Sequence, residues 1–189
     1  MKVVSLANVR DTIKDLVQKA NFELQDDVVD VIREMEKKEE SPAGKEVIKQ
    51  ILENAKIAKC DKLGLCQDTG LAVFFIELGE DVELEKDGGL GGLRHAFFEG
   101  TRAGFEEGYL RKSVVEDPIR RKNTGDNTPA YIHWEVVPGD AFNVTFIAKG
   151  GGAENMSAVR MLTPAAGMEG IEDFVVETAD KAGSNPCPP

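Results

Sequence analysis

The chain has 189 residues, enough to bury a sizeable core as one domain or two small ones. Its 34 Asp plus Glu against 23 Lys plus Arg give a formal net charge of −11, which argues against non-specific nucleic-acid binding and anionic membranes. No apolar run approaches the roughly 20 residues of a membrane span, and Met1-Lys2-Val3-Val4-Ser5-Leu6 lacks the apolar core of a signal peptide.

Val9, Ile13, Leu16, Val17 and Ala20 recur at helical spacing and predict a first helix. A second follows the acidic start Asp26-Asp27, with Val28, Val29, Ile32 and Met35 as its apolar positions. Ser41-Pro42, a cap residue and a first-turn proline, opens a third that carries Val47, Ile48, Ile51, Leu52, Ala55 and Ala58. Leu71 to Leu78 then reads as a buried strand. A helix from about Leu90 to Leu110 places Gly100 and Gly104 on the Leu93–Phe97 stripe, where small residues allow close packing. Residues 130–137 and 141–148 read as strands joined through Pro138-Gly139-Asp140 into a hairpin. A last helix carries Ile171, Phe174, Val175, Thr178 and Ala179, with Gly183 as its C-cap. This order predicts an α+β fold: a helical N-terminal lobe over residues 1–60, then a sheet-containing core with packed helices over 61–189.

Three stretches carry the candidate chemistry. Cys66-Gln67-Asp68-Thr69-Gly70 places a soft ligand, an amide, a carboxylate and a hydroxyl on the lip of the predicted strand. The residues alone leave Cys66 open between a metal role and an ordinary thiol, since no cysteine pair has a short C-x-x-C separation. Three cysteines make no disulfide framework, and the odd count without an export signal points to a reducing cytoplasm. Gly150-Gly151-Gly152 lies between a strand-like and a helix-like run, so it reads either as an anion cradle or as a tight turn. It lacks the P-loop spacing. Arg111, Arg120, Arg121, Lys149 and Arg160 form a local basic excess that suits a small carboxylate ligand, although each taken singly reads as a surface ion pair. His133 alternates with Ile132 and Trp134 on a strand and reads as a core or edge histidine rather than a general base.

With Asn123-Thr124-Gly125-Asp126-Asn127-Thr128-Pro129-Ala130, Lys149 to Asn155 and the terminal Asn185-Pro186-Cys187-Pro188-Pro189, the Cys66 stretch resembles the iron–sulfur, class I fumarate hydratases. The similarity is to the alpha subunit of the two-subunit form, and L(+)-tartrate dehydratase alpha subunits look similar over the same motifs. It runs through essentially the whole chain.

The resemblance implies a hydro-lyase of the tricarboxylic acid cycle that interconverts fumarate and (S)-malate. Its cofactor is a 4Fe-4S cluster with one substrate-binding iron, and its partners are a dicarboxylate and a beta subunit in a homo- or hetero-oligomer. Cys66 and Cys187 match two of the three cluster ligands. The third falls beyond Pro189, so the sequence reads as a fragment truncated at its C-terminus, expected to lack a loaded cluster and activity when isolated. Cys60 matches no ligand position. The resemblance assigns Gln67, Asp68, Arg111, Gly150, Gly151 and Gly152 to the substrate, with Asp68 as the catalytic residue that orients or assists the acid–base group without being the base. Competing readings are an L(+)-tartrate dehydratase subunit, a non-catalytic fragment that binds its partner, and an electron-transfer iron–sulfur protein, which Gln67, Asp68 and Arg111 suit least.

Overall fold

The computed structural model describes residues 2–85 and 88–185, and these divide into two compact units, residues 1–149 and 150–189. The fold is α+β, as the element order predicts. In the first unit a short strand, β1 (Lys2–Val4), leads into α1 (Leu6–Phe22), α2 (Asp26–Lys38) and α3 (Pro42–Asp61). Then come β2 (Leu71–Gly79), β3 (Val82–Leu84), α4 (Gly89–Glu107), β4 (Tyr131–Val137) and β5 (Phe142–Lys149). The second unit holds 3-10 turns at Ala153–Met156 and Pro164–Ala166, then α5 (Gly167–Ala182).

The helix starts follow from local chemistry. Pro42 occupies the first turn of α3, and the Ser41 hydroxyl accepts from the Gly44 N–H at 3.3 Å. Ser5 makes no such bond at the head of α1. There the Glu85 carboxylate accepts from the Leu6 N–H at 3.1 Å, placing negative charge at a helix N-terminus. Gly183, with φ 53°, ends α5 as its predicted cap. The α4 helix stops at Glu107, three residues short of the predicted end, because Gly108 and the left-handed Tyr109 turn the chain.

The core of the first unit lies between one face of a three-stranded sheet and the helices α1 and α4. Ala72, Phe74 and Ile76 of β2 are buried together with Val9, Ile13 and Val17 of α1 and Leu93, Phe97 and Phe105 of α4. Phe74 meets Phe97 edge-on at 5.0 Å between ring centroids. Alternate residues of β2 point the other way, and Phe75 remains 45% exposed. The apolar run that reads as a buried strand is thus a strand most deeply buried on one face.

Helices α1 and α4 approach closely because glycines line their contact. A Cβ on Gly100 would lie 2.5 Å from the Arg10 carbonyl oxygen and 2.7 Å from Ile13 Cβ, and one on Gly104 would lie 2.9 Å from Val17. Gly91, on the same helix, faces open space. Gly100→Ala is expected to destabilise the fold by about 1–3 kcal/mol through overpacking, despite its better helix propensity. Gly91→Ala is expected to stabilise it by about 0.5–1 kcal/mol. Urea unfolding of both variants checks the contrast, and equal shifts of the same sign would contradict the packing account.

The predicted hairpin between residues 130–137 and 141–148 does not form. The sheet order is β4-β2-β5, with β2 parallel to β4 and antiparallel to β5. Strand β2 therefore lies between the two segments that were expected to pair. Residues 138–141 cross its end, where Gly79 N–H donates to the Ala141 carbonyl at 2.6 Å and Asp81 N–H to that of Gly139 at 2.9 Å. A side chain at residue 79 would strike this crossing, since a Cβ there would stand 2.3 Å from the Gly139 oxygen. Strands β1 and β3 form a separate parallel pair.

Candidate active site

The sheet topology decides which loops meet. Parallel strands β2 and β4 begin at the same edge of the sheet where antiparallel β5 ends, with Leu71 opposite Lys149. That edge receives the Cys66–Gly70 loop entering β2 and the Asn123–Pro129 segment entering β4.

Both ends of the Cys66 loop are tied down. Leu65 N–H donates to the Asn21 carbonyl at 2.8 Å, and the Asn54 amide donates to the Leu65 carbonyl at 2.9 Å. At the far end the Thr69 hydroxyl, buried with its side chain, donates to the Arg111 carbonyl at 2.5 Å. The Asn127 amide donates to the Gly70 carbonyl at 3.1 Å. Between these tethers Cys66 is half-buried, Gln67 exposed and Asp68 half-buried. The Asp68 N–H donates to Cys66 Sγ at 3.4 Å, a bond that strengthens as the sulfur gains negative charge.

Arg111 follows α4 in an exposed loop, and among the described residues its guanidinium enters no ion pair or side-chain hydrogen bond. Other arginines are committed elsewhere. Arg102 bridges Glu99 and Asp126, with Asp126 at 2.8 Å. Partial burial alone would push the Asp126 carboxyl up, but the Thr128 N–H and hydroxyl, with Arg102, hold it below the ordinary carboxylate range. Arg160, placed by the sequence in the same basic group, pairs with Glu177 at 2.6 Å and lies over the Phe174 ring at 4.6 Å, all within the second unit. Arg120 and Arg121 lie on an exposed turn, where the Asp117 carboxylate accepts from the Ile119 and Arg120 N–H groups. His133 lies on the edge strand β4, stacked on Phe75 at 4.7 Å, as an edge histidine.

Gly150, Gly151 and Gly152 open the second unit, and the helix-like run after them is a four-residue 3-10 turn. Such a turn offers little of the helix macrodipole that an anion cradle exploits. The Cys66 thiol, with an amide N–H on its sulfur, has the donor chemistry of a metal-ligating thiolate. Cys60 is exposed at the end of α3. Cys187 lies outside the described residues. Among the described residues, no three His, Cys, Asp or Glu side chains gather as a metal-binding group.

Sequence reasoning placed Thr69 and Asn127 within its motifs but gave neither a role, and their side chains bind the loops together. The available signal was an amide within a run of turn formers, in a segment where side chains also cap their own backbone: Asn123 Oδ1 accepts from Gly125 N–H at 2.7 Å, and Asp126 Oδ1 from Thr128 N–H at 3.0 Å.

Comparison with known proteins extends this picture. The sequence model of a family described as fumarate hydratase (Fumerase) matches residues 10–189. A protein provisionally named L(+)-tartrate dehydratase subunit alpha from Methanocaldococcus jannaschii is 37% identical over 187 residues, covering 96% of this chain and 64% of the relative. L(+)-tartrate dehydratase subunit alpha of Escherichia coli is 30% identical over 198 residues, covering 99% of this chain and 63% of the relative. The Shigella sonnei protein of the same name is 29% identical over the same span. The chain thus spans 63–64% of the length of these relatives.

Proposed function

Because the chain belongs to the fumarate hydratase (Fumerase) family, we propose that it contributes the Cys66 loop and Arg111 to a hydro-lyase acting on a small dicarboxylate. One observation carries the reading: the Thr69 hydroxyl ties the loop of a thiol, an amide and a carboxylate to the backbone of Arg111, whose guanidinium has no counter-ion among the described residues. In this reading Arg111 grips one substrate carboxylate bidentately and Gln67 donates its amide to the diacid. Loss of a proton beside a carboxylate builds aci-carboxylate charge, which fixed cationic and N–H donors stabilise. Asp68 orients or assists the acid–base group, and the backbone N–H groups of Gly150, Gly151 and Gly152 are assigned to the substrate. A 4Fe-4S cluster, held by Cys66 and Cys187 with a third thiolate from outside residues 1–189, supplies Lewis-acid chemistry when bound. The hydrogen bond that the Asp68 N–H donates to the Cys66 sulfur supports that ligand role.

Fumarate and (S)-malate are the first assigned substrates. The names of the relatives favour a second reading, dehydration of L(+)-tartrate to oxaloacetate. Their description as alpha subunits supports a beta-subunit partner, and we assign the isolated chain a non-catalytic, partner-binding state in the cytoplasm. The assembled enzyme, meaning this chain combined with that partner and reconstituted anaerobically with iron and sulfide, is assayed with fumarate, malate and L(+)-tartrate. Fumarate–malate turnover is the expected result. Faster turnover of tartrate would replace that substrate with the second reading, and turnover of none would overturn the hydro-lyase reading.

A further inference from the structure

We propose that Asn127, seconded by Thr69, is a positioning residue that fixes the Cys66 loop relative to Arg111; the inference rests on the site reading above. Asn127 is fully buried and sits in the left-handed region at φ 60°, which Asn tolerates better than most residues. Its Oδ1 accepts from Ser113 N–H at 2.7 Å and Val114 N–H at 3.1 Å, while its Nδ2 donates to the Gly70 carbonyl at 3.1 Å. The side chain therefore reaches across two loops and satisfies three of its four hydrogen-bonding positions doing so. Its partners are not distant core groups. Gly70 stands two residues after Asp68, and Ser113 two residues after Arg111. The Thr69–Arg111 bond closes the same bridge from the other side.

The segment carrying Asn127 is itself held. Asn123 donates to the Lys112 carbonyl at 2.7 Å, Thr124 N–H donates to that of Val114 at 2.9 Å, and Arg102 grips Asp126. Asn127 thus works from a fixed base, and a change in its amide alters loop separation without releasing the segment.

Asn127→Asp tests this selectively. An Asp still accepts from the Ser113 and Val114 N–H groups and tolerates the left-handed backbone, but it turns an acceptor oxygen towards the Gly70 carbonyl. Thr69→Val removes the second link, and Thr69→Ser restores its donor. Leu93→Ala, buried in the core away from the loops, controls for general destabilisation. In the full 189-residue chain, alkylation is followed at each cysteine by mass spectrometry, with exposed Cys60 as internal reference. Asn127→Asp and Thr69→Val are expected to raise Cys66 reactivity several-fold relative to Cys60, while Thr69→Ser and Leu93→Ala leave the ratio unchanged. In the assembled enzyme the same two variants are expected to lower kcat about 100-fold with a smaller change in KM, the cost of about 1 Å of misplacement. An unchanged Cys66 ratio in both variants, or an equal rise in Leu93→Ala, overturns the positioning role. Retention of turnover in Cys66→Ser would instead overturn the site reading, and the alkylation ratio would still decide the coupling of the loops.

Discussion

Cys66→Ser is expected to abolish iron retention and turnover in the assembled enzyme, whereas Cys60→Ser leaves both near wild type. Serine keeps the shape of the side chain but offers a hard, poorly ionised oxygen where a soft thiolate is needed. Cys66 is half-buried, with its loop tethered on both sides and the Asp68 N–H directed at its sulfur. Cys60 has none of that setting: it is exposed at the end of α3, beside Lys59, which pairs with Glu23 at 3.0 Å. Loss of an outer-shell partner of a metal ligand costs about 10–100-fold, so loss of the ligand itself should exceed about 100-fold. Iron content and visible absorption after anaerobic reconstitution measure the effect. Equal loss in both variants would mean that the two thiols had been assigned wrongly.

Arg111→Lys is expected to lower kcat/KM by about 10–100-fold, and Arg111→Ala by about 100–1000-fold. Lys preserves the charge and loses the planar fork that binds two carboxylate oxygens together. Ala leaves the substrate carboxylate without its cation. Among the described residues the Arg111 guanidinium enters no ion pair, whereas Glu106 pairs with Lys112 and Asp126 with Arg102. Arg120→Lys, on the exposed turn held by Asp117, serves as the control and is expected to change kcat/KM less than about twofold, as surface charges usually do. Steady-state kinetics with the preferred diacid distinguish the three. A larger loss at residue 120 than at residue 111 would contradict the assignment.

The sequence disclosed the helices because their signals are local. Asp26-Asp27, Ser41-Pro42 and Gly183 act on the backbone within a turn of themselves, and the structure uses each where expected. The glycine stripe of α4 was legible for a similar reason: small residues at helical spacing specify an approach, and α1 takes it. Strand pairing was less accessible. Residues 130–137 and 141–148 have the alternation and the turn of a hairpin, yet β2 lies between them. That preference comes from the apolar face of β2, which places Phe74 between Phe97 and Phe146, so the decision is tertiary. Strands β1 and β3, three residues each and distant in sequence, are too short to show a period.

The site divides in the same way. Reactive and charged residues such as Cys66, Asp68 and Arg111 announce themselves in sequence, while their roles, and that of Gln67, follow from the family resemblance. The structure links their two loops through Thr69 and Asn127, whose hydroxyl and amide show no linking role in the sequence. Their value depends on which carbonyls and amides lie across from them, information that exists only after folding. Arg160 shows the converse: conspicuous as a cation in the sequence, it is engaged by Glu177 and Phe174 in the second unit.

An experimental structure of the assembled, reconstituted enzyme with a bound diacid tests the central claim most directly. The account predicts iron on the sulfur of residue 66 and a substrate carboxylate on the guanidinium of residue 111, with the Thr69–Arg111 bond intact. A diacid bound away from both loops, or a cluster held without residue 66, would contradict it.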